Sequence, residues 1–229
     1  MKLCCLVDGN ALFLTATEAL RRRQSHRPRE TGTIVVAIGY PPTDSVFSPR
    51  RSYDLTPPCE SYTPPDGPDG KPKMESHGGA DKFLTFITEV VRPFIEAKVF
   101  PGVFFARTAI FGHSYGGLFV LHTLFTRPSA FNVYLAAILR LSFGSREQYP
   151  VREPGESLEK FQKRQGAAQR RRMADNCREL HAQLLATDRL RTQELREYLD
   201  EDHGSVIAPA LSGALLFLSS ISATQSLST

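Results

Sequence analysis

The chain has 229 residues, 41% of them apolar and 23% charged, with a formal net charge of +4. That length supports one sizeable core and is too short for two comfortable domains, so a single domain over residues 1–229 is expected. The charge is mild, and much of it sits in the arginine triplets 21–23 and 170–172, which read as solvated helix faces. There is no basic stripe with interleaved aromatics, so a nucleic-acid partner is excluded.

Cys4, Cys5, Cys59 and Cys177 fit neither a zinc site nor a disulfide framework. Cys4 and Cys5 lie inside an apolar run, where small buried hydrophobes belong. Free thiols suit a reducing compartment. The first apolar stretch stops at Asp8, too early for a secretory core, and the run 206–221 contains Pro209 and is too short for a membrane span. The expectation is a cytoplasmic protein with no membrane association, no metal and no cofactor.

Residues 3–7 read as a buried strand, then the turn Asp8-Gly9-Asn10, then a helix over 11–23. Residues 33–38 are a second continuous β-branched run. Continuous apolar runs suit central strands of a parallel sheet covered on both faces. Residues 41–79 hold most of the prolines and form an irregular insertion, ordered to about 58 and mobile around 66–75. Residues 80–96 carry a helical pattern with Phe83, Phe86, Ile87, Val90 and Val91 on one face, and Pro93 should kink or end it. A strand at 107–111, a helix at 116–125, an apolar strand-like run at 131–143, a charged helical region at 150–189, a strand at 194–199 and a helix at 208–218 follow. This alternation predicts an α/β fold with a mainly parallel sheet and helices on both faces.

Gly112-His113-Ser114-Tyr115-Gly116 matches G-x-S-x-G. Three fixed positions alone are weak, but here a strand precedes them and a helix follows. That is the context in which a sharp turn lifts a serine Oγ out of the sheet. A serine needs a base to become a useful nucleophile. In this arrangement the base lies late in the chain, and His203, between the last strand and the last helix, fits. The acid belongs after the preceding strand, where Glu147 is the candidate. Asp200 and Asp202 are nearer His203, but an adjacent residue seldom reaches its neighbour's Nδ1. The turn aims the Tyr115 N–H at a developing oxyanion.

Several further segments resemble the siderophore esterases, which include the enterobactin- and salmochelin-type esterases and fungal relatives that open hydroxamate siderophores. The matching pieces are Leu6-Val7-Asp8-Gly9-Asn10-Ala11, Ile38-Gly39-Tyr40, Arg51-Ser52-Tyr53-Asp54-Leu55-Thr56-Pro57, Gly78-Gly79 with Phe83, Gly112 through Phe119, and Asp202-His203-Gly204-Ser205. They occur in the family's order. The resemblance implies an α/β-hydrolase-type fold and hydrolysis of a small-molecule ester, an iron-loaded siderophore in particular. It implies Ser114 as nucleophile, His203 as base, the Asn10 N–H as second oxyanion donor and Arg51 as a substrate-binding cation at the rim. Glu147 gains little from it.

Two departures stand out. Family members carry further strands ahead of the one at 3–7. They also have a crossover after a strand like 134–137, where this chain runs straight on into 138–144. A parallel crossover needs about a dozen residues. The chain therefore reads as lacking N-terminal strands and one crossover, and the alternative to an active enzyme is a catalytically impaired remnant or splice form. Residues 131–143 would span about 43 Å if extended, roughly twice a usual strand, and should not form two adjacent parallel strands. Inserting a family-like crossover after Ala137 is expected to raise the melting temperature and soluble yield. A short chain that melts cooperatively at ordinary mesophile temperatures and is equally active would refute the truncation.

Overall fold

A computed structural model describes residues 1–41, 45–62, 75–135, 140–187 and 194–220. The sequence expects one domain; the structure gathers into two compact units, Met1–Tyr134 and Leu135–Thr229. Each is taken by itself.

The first unit is built on a four-stranded sheet of order β2-β1-β3-β4. Strands β1 (Lys2–Leu6) and β3 (Arg107–Phe111) are buried at every position, while β2 (Thr33–Ala37) is only half-buried at the edge. β1 pairs in parallel with both neighbours, Leu6 standing beside Ala37 on one side and Phe111 on the other. The unbroken apolar run 3–6 of β1 follows from being flanked on both sides and covered on both faces. Helix α1 (Gly9–His26) connects β1 to β2. Helix α5 (Tyr115–Thr126) leads from β3 to β4 (Val133–Leu135). The two connections leave the middle of the sheet in opposite directions. The carboxyl ends of β1 and β3 are therefore a switch point, where open α/β sheets leave a crevice for ligands.

Between β2 and β3 lies the insertion, whose described part includes the single turn α2 (Arg51–Asp54). Its two ends are tied together. Gly79 N–H donates to the Tyr53 carbonyl at 2.8 Å, Ala80 N–H to the Thr56 carbonyl at 3.1 Å, and Gly78 N–H to Thr56 Oγ1 at 3.0 Å. Of the stretch expected to be mobile, residues 66–74 lie outside the described residues. Helix α3 (Ala80–Phe86) runs on through a π-helical turn (Ile87–Val91), a short piece α4 (Arg92–Phe94) and a second π-helical turn (Ile95–Val99). Pro93 neither ends nor sharply breaks the helix. It lacks an N–H, and the wide π turns around it accommodate the missing bond. They also disrupt the 3.6-residue stripe. Leu84 and Ile87 are buried, but Phe86 and Val90 face outward, against the single apolar face that the sequence suggests.

In the second unit β5 (Arg140–Gly144) pairs in parallel with β6 (Glu194–Tyr198). β4 and β5 belong to different sheets, and the link between them, 136–139, lies outside the described residues. The charged region expected over 150–189 is two helices, α6 (Leu158–Arg171) and α7 (Met173–Ala186). Arg172, at φ 50°, separates them. Ser157 caps α6 by accepting the Lys160 N–H at 3.2 Å. Helix α8 (Ile207–Ser220) is tied to the strands through Tyr198, whose hydroxyl accepts from Arg140 Nη2 at 2.9 Å and donates to the Pro209 carbonyl at 2.9 Å.

All four cysteines are free thiols. Burial in β1 pushes the Cys5 thiol up to about 12 and Cys4 further, and burial raises Cys177 to about 11. Cys59 is exposed. Since the thiolate is the reactive form, a thiol reagent at pH 8 is expected to label only Cys59 rapidly in the native protein, and all four after unfolding in guanidinium chloride. Rapid native labelling of Cys4 or Cys5 would show that β1 is not a central strand.

Candidate active site

β3 ends at Phe111 and α5 begins at Tyr115, so Gly112, His113 and Ser114 must turn the chain from strand to helix. Ser114 adopts φ 58° and ψ −120°, a conformation that costs a non-glycine residue about 1–3 kcal/mol. Sterics leave little choice at the flanking positions. A Cβ on Gly112 would collide with the Gly116 carbonyl, and one on Gly116 would stand 2.8 Å from Val7 Cγ2 and 3.3 Å from Asp8 Oδ2. The turn is closed by Gly116 N–H donating to the His113 carbonyl at 2.8 Å and Leu118 N–H to the Ser114 carbonyl at 3.0 Å. Ser114 is left half-buried at the start of α5.

The chain leaves β1 by a comparable device. Asp8 lies in the left-handed region (φ 56°, ψ 43°) immediately before α1. Gly9 N–H donates to the Ile38 carbonyl at 2.9 Å, which holds the turn against the end of β2. Asn10 adds a second tie. Its Oδ1 accepts the Tyr40 N–H at 2.7 Å, and its Nδ2 donates to the Tyr40 carbonyl at 3.1 Å. The Asn10 and Tyr115 amides, the two expected oxyanion donors, each lie in the first turn of a helix. Amides there lack intrahelical acceptors and carry the positive end of the helix dipole.

Arg51, the expected substrate-binding cation, is held by the protein itself, its side chain 13% exposed. Nε and Nη2 donate to the two carboxylate oxygens of Asp8 at 2.8 and 2.7 Å, and Nη2 also approaches the His113 carbonyl at 3.3 Å. The guanidinium carbon lies 5.0 Å from the Phe47 ring centroid and 5.1 Å from that of Tyr115. Asp8, whose side chain is 1% exposed, is thereby paired and satisfied. The far edge of Tyr115 is also held. Its hydroxyl shares a hydrogen bond with the Tyr62 hydroxyl at 2.7 Å and donates to Glu75 Oε2 at 3.3 Å. Burial, then the bond to Tyr62, pushes the Tyr115 phenol above its ordinary value, so it stays protonated.

The remaining two residues lie in the second unit. Glu147, in the short 3-10 turn after β5, is 7% exposed at its side chain. Its Oε1 accepts the Gly144 N–H at 2.9 Å, and its Oε2 meets His203 Nδ1 at 2.7 Å. The structure thus brings together the acid and the histidine singled out from sequence. The nearer carboxylates are engaged elsewhere. Asp202 Oδ1 accepts the Gly204 and Ser205 N–H groups, both at 2.8 Å, and these bonds lower its carboxyl. Asp200 pairs with Arg146 at 3.0 Å. Next to Glu147, buried Gln148 anchors the turn to the start of α7, donating to Asp175 Oδ2 at 2.6 Å and accepting the Asp175 N–H at 3.0 Å. Among the described residues no cluster of three His, Cys, Asp or Glu side chains could hold a metal, and no helix is long and apolar enough to cross a membrane.

Sequence reasoning missed Phe47, Tyr62, Glu75 and Gln148 as parts of these sites, and it had Asp8 only as the start of a turn, not as the partner of Arg51. Only Asp8 left a signal, as a charge that closes an unbroken apolar run. Known proteins place the chain in a wider setting. Residues 16–196 match the family model described as Esterase. The siderophore enterobactin esterase of Emericella nidulans is 65% identical over 248 aligned positions, covering 95% of this chain and 82% of that protein. The aligned span exceeds the residues this chain contributes, so the relative holds an internal stretch with no counterpart here. The siderophore triacetylfusarinine C esterase of Aspergillus fumigatus is 41% identical, covering 92% of this chain and 78% of its own. The solved structure of siderophore hydrolase EstA from Aspergillus nidulans superposes with a TM-score of 0.92 at 64% identity, covering 95% of this chain and 82% of that one. The fold, the turn at Ser114 and these relatives agree: the chain belongs to the siderophore esterase family of α/β-hydrolase-type proteins.

Proposed function

We propose that this chain hydrolyses an ester bond of a siderophore with Ser114 as nucleophile. The observation that carries the reading is the strained Ser114 turn between β3 and α5. Ser114 Oγ attacks the ester carbonyl. The Tyr115 and Asn10 amides take the negative charge that develops on its oxygen, where preorganised donors are most effective. His203 accepts the serine proton at Nε2 and returns it to the leaving alcohol. Glu147, bonded to Nδ1, holds the ring in the tautomer that leaves Nε2 free to accept. A water molecule then repeats the sequence on the acyl-enzyme.

The names of the relatives support a siderophore substrate. Iron enters with the substrate rather than as a cofactor, and the free thiols support action in the cytoplasm. A second reading, a binding or inactive form, is favoured by the missing crossover where the run 131–137 passes straight into 138–144.

Labelling with a fluorophosphonate probe, followed by hydrolysis assays on a simple aryl ester and on iron-loaded and iron-free siderophore esters, separates the two. The wild-type chain is expected to label at Ser114 and to turn over siderophore ester. Ser114→Ala is expected to lose turnover by about 10³-fold or more. Equal turnover by that variant would remove Ser114 from the chemistry, and absence of labelling would favour the inactive form. Glu147→Gln is expected to lower kcat at least tenfold with KM near wild type; full activity would remove it from the mechanism.

A further inference from the structure

Arg51 occupies an unusual position between the two turns that flank the switch point. Asp8 immediately precedes Gly9 and Asn10, and His113 immediately precedes Ser114. One guanidinium nitrogen, Nη2, touches both: Asp8 Oδ2 at 2.7 Å and the His113 carbonyl at 3.3 Å. Nε completes a bidentate grip on Asp8 at 2.8 Å. Phe47 and Tyr115 flank the guanidinium and restrict its movement. The carboxylate it grips lies against the start of α5, since a Cβ on Gly116 would come within 3.3 Å of Asp8 Oδ2. A buried negative charge there opposes any oxyanion forming at the Tyr115 and Asn10 amides.

We infer that Arg51 is a positioning residue for the oxyanion hole: it locks the Asp8 turn to the Ser114 turn and neutralises the Asp8 carboxylate, rather than binding the anionic substrate. The assignment rests on the ester-hydrolase reading of Ser114. Its consequences differ from those of a substrate-binding arginine. Loss of a positioning residue lowers kcat, because the oxyanion exists only on the way through the transition state. Loss of a substrate contact raises KM and leaves kcat alone. A lysine keeps the charge but cannot make the planar two-nitrogen grip.

The test uses Arg51→Lys, Arg51→Met, Asp8→Asn and the double variant Asp8→Asn/Arg51→Met, with a neutral aryl ester and a siderophore ester as substrates. Wild-type turnover and phosphonylation of Ser114 come first, so failure of the hydrolase reading is seen independently. Arg51→Lys is expected to lose at least tenfold in kcat on both substrates and to slow phosphonylation in parallel, with KM within about twofold of wild type. Arg51→Met is expected to lose more. The double variant is expected to regain several-fold in kcat over Arg51→Met, because removing the stranded carboxylate relieves its repulsion of the oxyanion. A merely structural role would lower the melting temperature and leave kcat per phosphonylatable site unchanged in Arg51→Lys and Arg51→Met. Raised KM for the siderophore ester alone, with kcat preserved, would overturn the inference. So would a double variant no more active than Arg51→Met. If Arg51→Met does not fold, Asp8→Asn and Arg51→Lys decide: wild-type kcat in both, or failure of both to fold, overturns it.

Discussion

Strands β1 and β3 pair side by side in parallel at the centre of the sheet, and the chain leaves their carboxyl ends in opposite directions. Everything distinctive about the first unit follows from that divergence. Two helices begin next to each other, over strands buried at every position. Each helix must start from a tight turn, because the strands end at the same level, Leu6 beside Phe111. The positive ends of both helix dipoles lie at these turns, which suits a reaction that creates negative charge. Gly116 is small because Val7 stands in its way, so the nucleophile turn is shaped by the neighbouring strand as much as by its own sequence.

The arrangement carries costs that the surrounding residues offset. Ser114 and Asp8 both hold positive φ without being glycine. Hydrogen bonds on either side fix them: Gly116 N–H to the His113 carbonyl, and Gly9 N–H to the Ile38 carbonyl. Asp8 is also a buried charge, and an isolated one would be unfavourable. Its bidentate arginine lies 43 residues away in the insertion. Breaking such a buried pair from one side costs about 3–5 kcal/mol. The prolines and glycines of the insertion therefore do not mark a dispensable loop. Its described part supplies the partner of Asp8, one stacking ring from Phe47 and the Tyr62 hydroxyl bonded to Tyr115.

In the second unit a different economy operates. The loop after β6 holds three acidic residues around His203, and the ring's Nδ1 bonds to Glu147, a residue from another strand end. Asp202 is turned back on its own backbone, accepting two amides ahead of α8. Glu147 has its other oxygen fixed by the Gly144 N–H and its turn fixed by the Gln148–Asp175 pair. The carboxylate is thus held before it meets the imidazole, so little side-chain entropy is lost in making the bond.

The sequence by itself determined most of the strands and helices and the order of the chemical groups along the chain. Continuous apolar runs specify buried parallel strands, and β3 has the very bounds that its run implies. A glycine-serine turn between such a strand and a helix is a local signal, complete within five residues. The position of Glu147 one turn past a strand end was legible for the same reason. Tertiary structure alone decided what the polar side chains do. Nothing in the sequence pairs Arg51 with Asp8, His113, Phe47 and Tyr115, which the fold puts around it. Periodicity also failed where backbone geometry changed: π turns around Pro93 moved Phe86 and Val90 off the buried face. Local structure is encoded by steric and hydrophobic preferences of neighbouring residues. The pairing of charges across forty or more residues depends on which strand ends the sheet brings together, and no spacing in the chain records that.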